Sequence, residues 1–260
     1  MDYLMRDDAP LTDTQWAEVD SKVVTAAKAV LTGRRFLDIY GPLGSGIQML
    51  EVPPTQGGPK KATEIPLLST DFTLAWRDIQ AAERMGIPLS YSEVLVAATD
   101  CALQEDKMIF LGSKKYGVEG LLTLPGAQVM DAGDWSEGEG AFLDVVAGLQ
   151  GLIQNQVYGQ KALVTSPDVY AQLQRIQPGT GVLESKRIQK LIEGKIFQTP
   201  VLPQKTALLV ACSEQNMDLA IGQDMTVGYL GATGLDHEFT VLETALLRVK
   251  NQNAVIRFQF

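Results

Sequence analysis

Apolar residues recur at helical spacing along the N-terminal part of the chain. Thr12 and Gln15 have the spacing of a capping box, in which two side chains satisfy free backbone amides at a helix start. The apolar stripe that follows consists of Trp16, Val19, Val23, Ala27, Val30 and Leu31. Gly33 is a suitable residue to end the helix. The pattern predicts an amphipathic helix with one buried face, followed by the strand-like FLDI.

Helical and strand patterns then follow one another irregularly. The alternation typical of a strand occurs at Leu68, Thr70, Phe72, Leu74 and Trp76. A short helix over 78–85 precedes Ser90 and Glu93, which form a second capping-box pair. The long helix after this pair has an apolar face of Val94, Ala98, Cys101, Ala102 and Ile109. Because no regular βαβ order connects the elements, the pattern predicts an α+β fold.

The second half of the chain becomes strand-rich towards its end. A helix is predicted with one apolar face of Phe142, Val145, Val146, Leu149 and Ile153. Ser166 and Pro167 have the order expected at another helix start. Strands are predicted at ALVTS, IFQT, ALLVAC, DLAIG, MTVGY, EFTVLETALLRV and AVIRFQF. One face of the longest strand carries Phe239, Val241, Ala245, Leu247 and Val249.

The segment 47–65 differs from the rest of the chain in composition. Its part VPPTQGGPKKATE is rich in proline and glycine and has almost no apolar residue after Val52. Such a stretch cannot form a helix, and its prolines limit sheet pairing. A long segment without its own core is uncommon inside a compact domain. The segment is therefore predicted to be a mobile loop or an arm that packs on another molecule.

Composition narrows the functional classes. The chain has 260 residues, 45% of them hydrophobic, which is enough for a sizeable core. Its net charge of -9 argues against nucleic-acid binding. Its acidic start argues against a signal peptide, and its apolar runs are too short for a membrane span. Both cysteines, Cys101 and Cys212, have apolar neighbours and are interpreted as buried thiols. These features predict a cytoplasmic protein without nucleic-acid or membrane partners.

Candidate chemistry is sparse. The stretch GPLGSG lacks the spacing of a dinucleotide-binding loop, a P-loop or a nucleophile elbow, so it is interpreted as a bend. The sequence contains one histidine, His237, and a single histidine argues against a histidine-based metal centre within one subunit. His237 is interpreted as a surface residue at a strand end. Trp76 is interpreted as a core residue rather than a platform for a flat ligand. The acidic residues between two elements fit a helix start better than a cation site: Asp131, Asp134, Glu137 and Glu139. We therefore predict no catalytic residue, metal or cofactor.

Several motifs, in unbroken order, resemble one family. They are DDAPLTDTQWAEVDSKV, LTGRRFLDIYGPLG, DFTLAWRDIQAAERMG, EDKMIFLGSKKYGVEGLL and AIGQDMTVGY. The chain is similar in these motifs to encapsulins, the bacterial nanocompartment shell proteins related to phage capsids. The resemblance implies the Hong Kong 97-type capsid fold. It implies a discontinuous P-domain over 1–46, 69–123 and 223–260, an E-loop arm over 47–68, and an A-domain over 124–222.

The resemblance also implies a function and its sites. It implies an icosahedral assembly of identical subunits around cargo enzymes, which are ferritin-like proteins or dye-decolourising peroxidases, for iron storage or oxidative-stress defence. The cargo's C-terminal peptide would contact Leu31, Arg34, Asp38 and Tyr229. The alternative for Arg34 and Asp38 is that they pair with each other. A five-fold pore loop would consist of Gln177, Pro178, Gly179, Thr180 and Gly181. A phage capsid protein around DNA is the alternative function, and a protease or bacteriocin is a further one.

Overall fold

The computed structural model describes residues 3–52 and 60–260. The helices are α1 (Asp13–Val30), α2 (Trp76–Met85), α3 (Ser92–Leu111), α4 (Gly140–Gln154), α5 (Pro167–Gln172) and α6 (Glu184–Ile192). The strands are β1 (Ile39–Tyr40), β2 (Met49–Val52), β3 (Lys61–Glu64), β4 (Leu67–Leu74), β5 (Gln128–Asp131), β6 (Lys161–Thr165), β7 (Lys195–Gln198), β8 (Thr206–Ala211), β9 (Met217–Ile221), β10 (Thr226–Thr233), β11 (Asp236–Val249) and β12 (Val255–Gln259). The interleaved helices and strands confirm the predicted α+β class.

Two larger sheets and one hairpin organise these strands. One sheet has the order β1-β9-β11-β10, with β4 also paired to β11. The long strand β11 links its parts, because 237–244 pair with β4 and 245–249 pair with β9. The other sheet has the order β5-β12-β8-β6-β7. Strand β12 lies in the range predicted for the P-domain but pairs with β5 and β8, which lie in the range predicted for the A-domain. Strand β9 lies in the predicted A-domain range but pairs with β1 and β11.

Helices α1 and α3 cover the first sheet. The predicted capping box of α1 is present, since the Gln15 amide N–H donates to the Thr12 hydroxyl and the Thr12 amide donates to the Gln15 side chain. The predicted apolar face of α3 is fully buried, and so is that of β11. Trp16 meets Phe239 edge to face, and Phe72 stacks on the same ring. Aromatic contacts thus join α1 and β4 to β11.

Three local predictions are wrong. Helix α3 begins at Ser92 without a side-chain cap, because the Ser90 hydroxyl bonds the Ser92 hydroxyl instead of a free amide. Trp76 is not a core residue: it opens α2, is 37% exposed and has the Arg77 guanidinium over its ring. Helix α4 is rotated from the predicted orientation, since its buried residues are Ala141, Val145, Gly148 and Leu152.

Small residues explain the rotation of α4. A side chain at Gly148 would come within 3.0 Å of Leu209 and 3.2 Å of Phe258, so the helix backbone approaches the sheet closely there. Ala141 is buried on the same face, whereas Ile153 is 56% exposed. Hydrophobicity alone assigns the larger residues to the core, but close helix-to-sheet packing selects the small ones here.

The stretch GPLGSG is a bend, as predicted. The amides of Leu43 and Gly44 donate to the carbonyls of Ile221 and Gly222, which fastens the bend to the end of β9. Gly41 and Gly44 both have φ in the left-handed half of the map, where a side chain is strained. The chain leaves the first sheet at this point.

Both thiols are free and buried, in agreement with the prediction for Cys101 and Cys212. Burial raises the pKa of Cys212 to about 11, so the thiol is protonated. No helix within 3–52 and 60–260 has the length and apolar character needed to cross a membrane.

Candidate functional site

The predicted arm is a hairpin whose base lies on its own subunit. Strands β2 and β3 pair from Met49 opposite Glu64 to Val52 opposite Lys61. These paired strands flank the proline-rich part, 53–59, which lies outside the described residues, so the expectation that its prolines limit pairing stays a prediction. Leu50 and Val52 pack on a small cluster formed by Ile65, Val118, Ala220 and Leu246. One face of the hairpin thus has a core contact within the subunit.

The base of the arm also exposes large apolar side chains. Met49 is 57% exposed and Leu67, at the start of β4, is 53% exposed. Both line an open cleft of about 720 Å³ between the arm and the first sheet, together with Ile47 and Leu242. Large apolar side chains that are exposed together on one surface typically mark an interaction site.

The predicted pore loop is a tight turn at the outer end of a short antiparallel bridge. The amide of Gln177 donates to the Val182 carbonyl over 2.9 Å, and the Thr180 hydroxyl donates to the Gln177 carbonyl over 3.0 Å. Gly179 and Gly181 have φ of 80° and 66°, values that glycine adopts without a steric penalty. From Pro178 to Gly181 the loop is exposed.

Polar contacts fasten this loop to the start of α4. The Arg175 guanidinium donates to the Gly138 carbonyl, and the Gln177 side chain donates to Glu139 over 2.8 Å. Glu139 also pairs with Arg187 of α6, and this ion pair is the main reason why the pKa of Glu139 is lowered. The acidic residues before α4 include the residue that precedes the helix, Glu139, as predicted for a helix start.

A buried ion cluster joins distant parts of the chain at the first sheet. Arg34, in the turn after α1, donates through its Nε and one terminal nitrogen to Glu105 of α3. The same guanidinium donates to Glu243 of β11 and to Asp224 of the β9–β10 connection, over 2.7 Å in each case. Glu105 and Glu243 have fully buried side chains, whereas Asp224 is mostly exposed.

The cluster raises the pKa of Arg34 and of both buried glutamates, for different physical reasons. Burial opposes the charge of Arg34, but its bonds and attraction to Glu105 and Glu243 raise the pKa of the guanidinium overall. Burial raises the pKa of Glu243 well above its usual value, and the neighbouring charge of Glu105 adds to this effect. Burial also raises the pKa of Glu105, although Arg34 opposes the shift. Arg34 is therefore the charge that makes burial of these carboxyl groups tolerable.

The neighbouring carboxylate, Asp106, holds the turn that positions Arg34. Its oxygens accept hydrogen bonds from the amides of Thr32 and Gly33 over 2.9–3.0 Å. Adjacent acidic residues on α3 thus bind the turn after α1 through both its backbone and its side chain. The sequence contains a signal for this site, because Glu105 lies four residues from Cys101 and from Ile109, on the apolar face of the helix.

The residues predicted to bind a cargo peptide have different environments. Leu31 packs with Ala27 and Ala102, whereas Tyr229 packs in the main core, so the two do not form one cluster. Asp38 is exposed, next to the exposed Ile39 and Tyr40. The alternative in which Arg34 pairs with Asp38 is wrong, because the ion pairs of Arg34 are those with Glu105, Glu243 and Asp224.

Other candidate chemistry is accounted for by local packing. His237 lies near the start of β11 and its Nδ1 is 2.9 Å from the Tyr229 hydroxyl, which agrees with a strand-end position. Within the described ranges, 3–52 and 60–260, no group of histidine, cysteine and acidic residues is arranged to hold a metal ion. The ion cluster and the arm are therefore the features that need a functional explanation.

Solved structures with this chain trace define the class of the fold. A virus-like particle from Pyrococcus furiosus superposes with a TM-score of 0.80 at 20% identity, over 94% of this chain and 99% of that one. The capsid of Myoviridae phage XM1 superposes with a TM-score of 0.67 at 15% identity, over 88% and 91% of the two chains. The chain has the Hong Kong 97-type capsid fold.

Sequence comparison gives the family within this class. The family model Linocin_M18, encapsulating protein for peroxidase, matches residues 1–246. A type 1 encapsulin shell protein of Myxococcus xanthus is 38% identical, over 98% of this chain and 95% of the relative. A diheme-cytochrome-encapsulin shell fusion of Kuenenia stuttgartiensis is 34% identical over 92% of this chain and 71% of the relative, and a ferritin-like-encapsulin fusion of Pyrococcus furiosus is 25% identical over 74% and 52%. The chain belongs to the encapsulin shell-protein family.

Proposed function

We propose that copies of this chain assemble into a closed icosahedral shell around cargo enzymes. The observation that carries the proposal is the pair of exposed apolar side chains at the base of the arm, Met49 and Leu67, which lie beside an open cleft. A neighbouring subunit that covers this face removes apolar surface from water, which stabilises the contact by about 25 cal/mol per Å². Each contact is modest, but closed symmetry repeats it in every subunit. Membership of the shell-protein family supports the same assembly.

Electron microscopy of the purified chain tests the proposal. We expect closed particles of uniform size, in which the arm of each subunit packs on a neighbour. We also expect the loop from Gln177 to Gly181 at the five-fold axis, where its glycines permit a narrow opening. Single subunits, or particles in which the arm covers only the cleft of its own subunit, would contradict the proposal.

The enclosed cargo is proposed to be a redox or iron-handling enzyme in the cytoplasm. The family description refers to a peroxidase, and relatives exist as fusions to a diheme cytochrome and a ferritin-like protein. Iron storage or defence against oxidative stress follows from such cargo. A lumen filled with DNA is the other candidate, which the fold likeness to a phage capsid favours. The net charge of -9 argues against it, and nucleic acid that copurifies with nuclease-treated particles would favour it.

Asp38 is the predicted cargo residue best placed for contact from outside the subunit. It is exposed, whereas Leu31 and Tyr229 are buried and Arg34 is engaged by carboxylates. A charge-assisted hydrogen bond contributes about 1.5–3 kcal/mol, so Asp38→Ala should weaken binding of the cargo peptide by about tenfold or more. The amount of cargo that copurifies with intact shells measures this loss.

Asp71→Ala is the matched control for this experiment. Asp71 is also an exposed carboxylate, on β4, and it is not among the residues predicted to contact cargo. We expect normal loading in this variant. Equal loading in both variants would show that Asp38 does not bind cargo. The proposal that the chain forms a shell would still stand.

A further inference from the structure

The ion cluster at Arg34 contains more negative than positive charge. One guanidinium faces the carboxyl groups of Glu105, Glu243 and Asp224, and the first two are fully buried. If every carboxyl were ionised, the cluster would carry two uncompensated negative charges. Burial of an uncompensated charge costs several kcal/mol, and a buried carboxyl group usually takes up a proton instead.

The geometry distinguishes the two buried carboxyl groups. Glu105 accepts bonds from Arg34 on both of its oxygens, which is the arrangement of an ionised carboxylate in a bidentate pair. Glu243 accepts from Arg34 on Oε2 alone, and its buried Oε1 has no hydrogen-bond partner among the described atoms. The Oε2 atoms of Glu105 and Glu243 both accept from the same terminal nitrogen of Arg34, so the two carboxyl groups are close neighbours.

We propose that Glu243 is a buried proton-binding site, whose proton is shared with Glu105 and makes the junction of α3 and β11 sensitive to pH. Protonation removes one of the surplus negative charges and supplies the donor that two facing carboxyl groups otherwise lack. The proton then bridges helix α3 and strand β11 at a point where Arg34 already joins them.

Within residues 3–52 and 60–260, the ion-pair partner of Glu243 is Arg34, and no second cation is placed to replace the proton. Helix α3 presents Glu105 and the Cys101 thiol, the turn after α1 presents Arg34, and the β9–β10 connection presents Asp224. On the neighbouring strand β4, Leu68 lies opposite Glu243 in the pairing register. Among the described residues, Arg34 is thus the single positive charge in contact with Glu243, and it is shared by three acids.

The direction of the pH dependence follows from the raised pKa of Glu243. In the unfolded chain this group titrates near its ordinary value of 4.5. The folded state binds the proton more tightly, so the stabilisation is complete below that value and is lost as pH rises through the higher pKa of the folded state. Rising pH therefore ionises Glu243 inside the cluster and loosens the junction.

Glu243→Gln tests the proposal because glutamine has the shape and the neutral charge of the protonated side chain. We expect the unfolding midpoint of the purified native assembly to fall as pH rises above 4.5, the ordinary value for a glutamate. The fall should be smaller in Glu243→Gln, whose pH slope should differ by up to one proton per subunit. Asp224→Asn, which neutralises the exposed acid of the cluster, is the control that should keep most of the slope.

Infrared spectroscopy gives an independent measurement, because the band expected in the unmodified protein can be recorded whether or not a variant folds. A protonated carboxylic acid has a C=O stretch separate from the amide bands. We expect this band in the native assembly at neutral pH and its absence in Glu243→Gln. The proposal is overturned if the native assembly lacks the band, or if Glu243→Gln lowers the unfolding midpoint equally at every pH.

Discussion

Replacement of Arg34 by methionine should prevent the subunit from folding stably. The substitution keeps much of the side-chain volume but leaves Glu105 and Glu243 buried without their cation. Removal of one partner from a buried ion pair costs about 3–5 kcal/mol, a large part of the stability of an ordinary domain. We expect the unfolding midpoint to fall by on the order of 10 °C, or the protein to be insoluble, as measured by thermal unfolding of the soluble fraction.

Arg35→Met is the matched control for this prediction. Arg35 is the next residue and also an arginine, but it is exposed and its side chain donates to the carbonyls of Lys28 and Ala29. The unfolding midpoint of the Arg35→Met variant should lie within a few degrees of that of the unmodified protein. If Arg34→Met instead formed normal, stable shells that lost only their cargo, Arg34 would be a cargo ligand and not a structural residue.

A lysine at Met49 should stop assembly without unfolding the subunit. Met49 is exposed in the isolated subunit and lies opposite Glu64 in the hairpin, so a lysine there gains a favourable cross-strand partner. In a shell, the same lysine would have to be buried against a neighbour's apolar surface. The loss of apolar contact, about 1.5–3 kcal/mol, and the desolvation of the charge then weaken every arm contact at least tenfold.

Size-exclusion chromatography and circular dichroism together measure this effect. We expect Met49→Lys to elute as small, folded species with an unchanged far-ultraviolet spectrum. Met49→Leu keeps the apolar surface and should elute with the unmodified protein. Normal particles from Met49→Lys would show that the exposed face of the arm is not an assembly contact.

Regular periodicity explains which elements of the fold are predictable from the sequence. The apolar stripe of α1 and the alternation of β11 are sufficient to predict these two elements and their buried faces, because each buries one continuous apolar face. Strand β5 is not predictable in this way, since its four residues lie between a turn and an acidic loop, and two of them are half-buried and two exposed. The buried face of α4 was missed because it depends on Ala141 and Gly148, whose small size permits close packing.

The ion cluster was predictable only in part. Glu105 on an apolar helix face indicates a buried carboxylate, but its partners come from the turn after α1, from β11 and from the β9–β10 connection. A single sequence contains no information on which distant charges meet. The alternative pairing of Arg34 with Asp38 considers charges that are near in the sequence, whereas the partners in the structure are distant in it.

The native mass of the purified chain tests the assembly most directly. One subunit has a mass of 28.2 kDa. Mass photometry of the unmodified protein in neutral buffer should give one narrow population in the megadalton range, at protein concentrations far below those that cause unspecific association. A population at the mass of one or two subunits under these conditions would contradict a shell built from this chain.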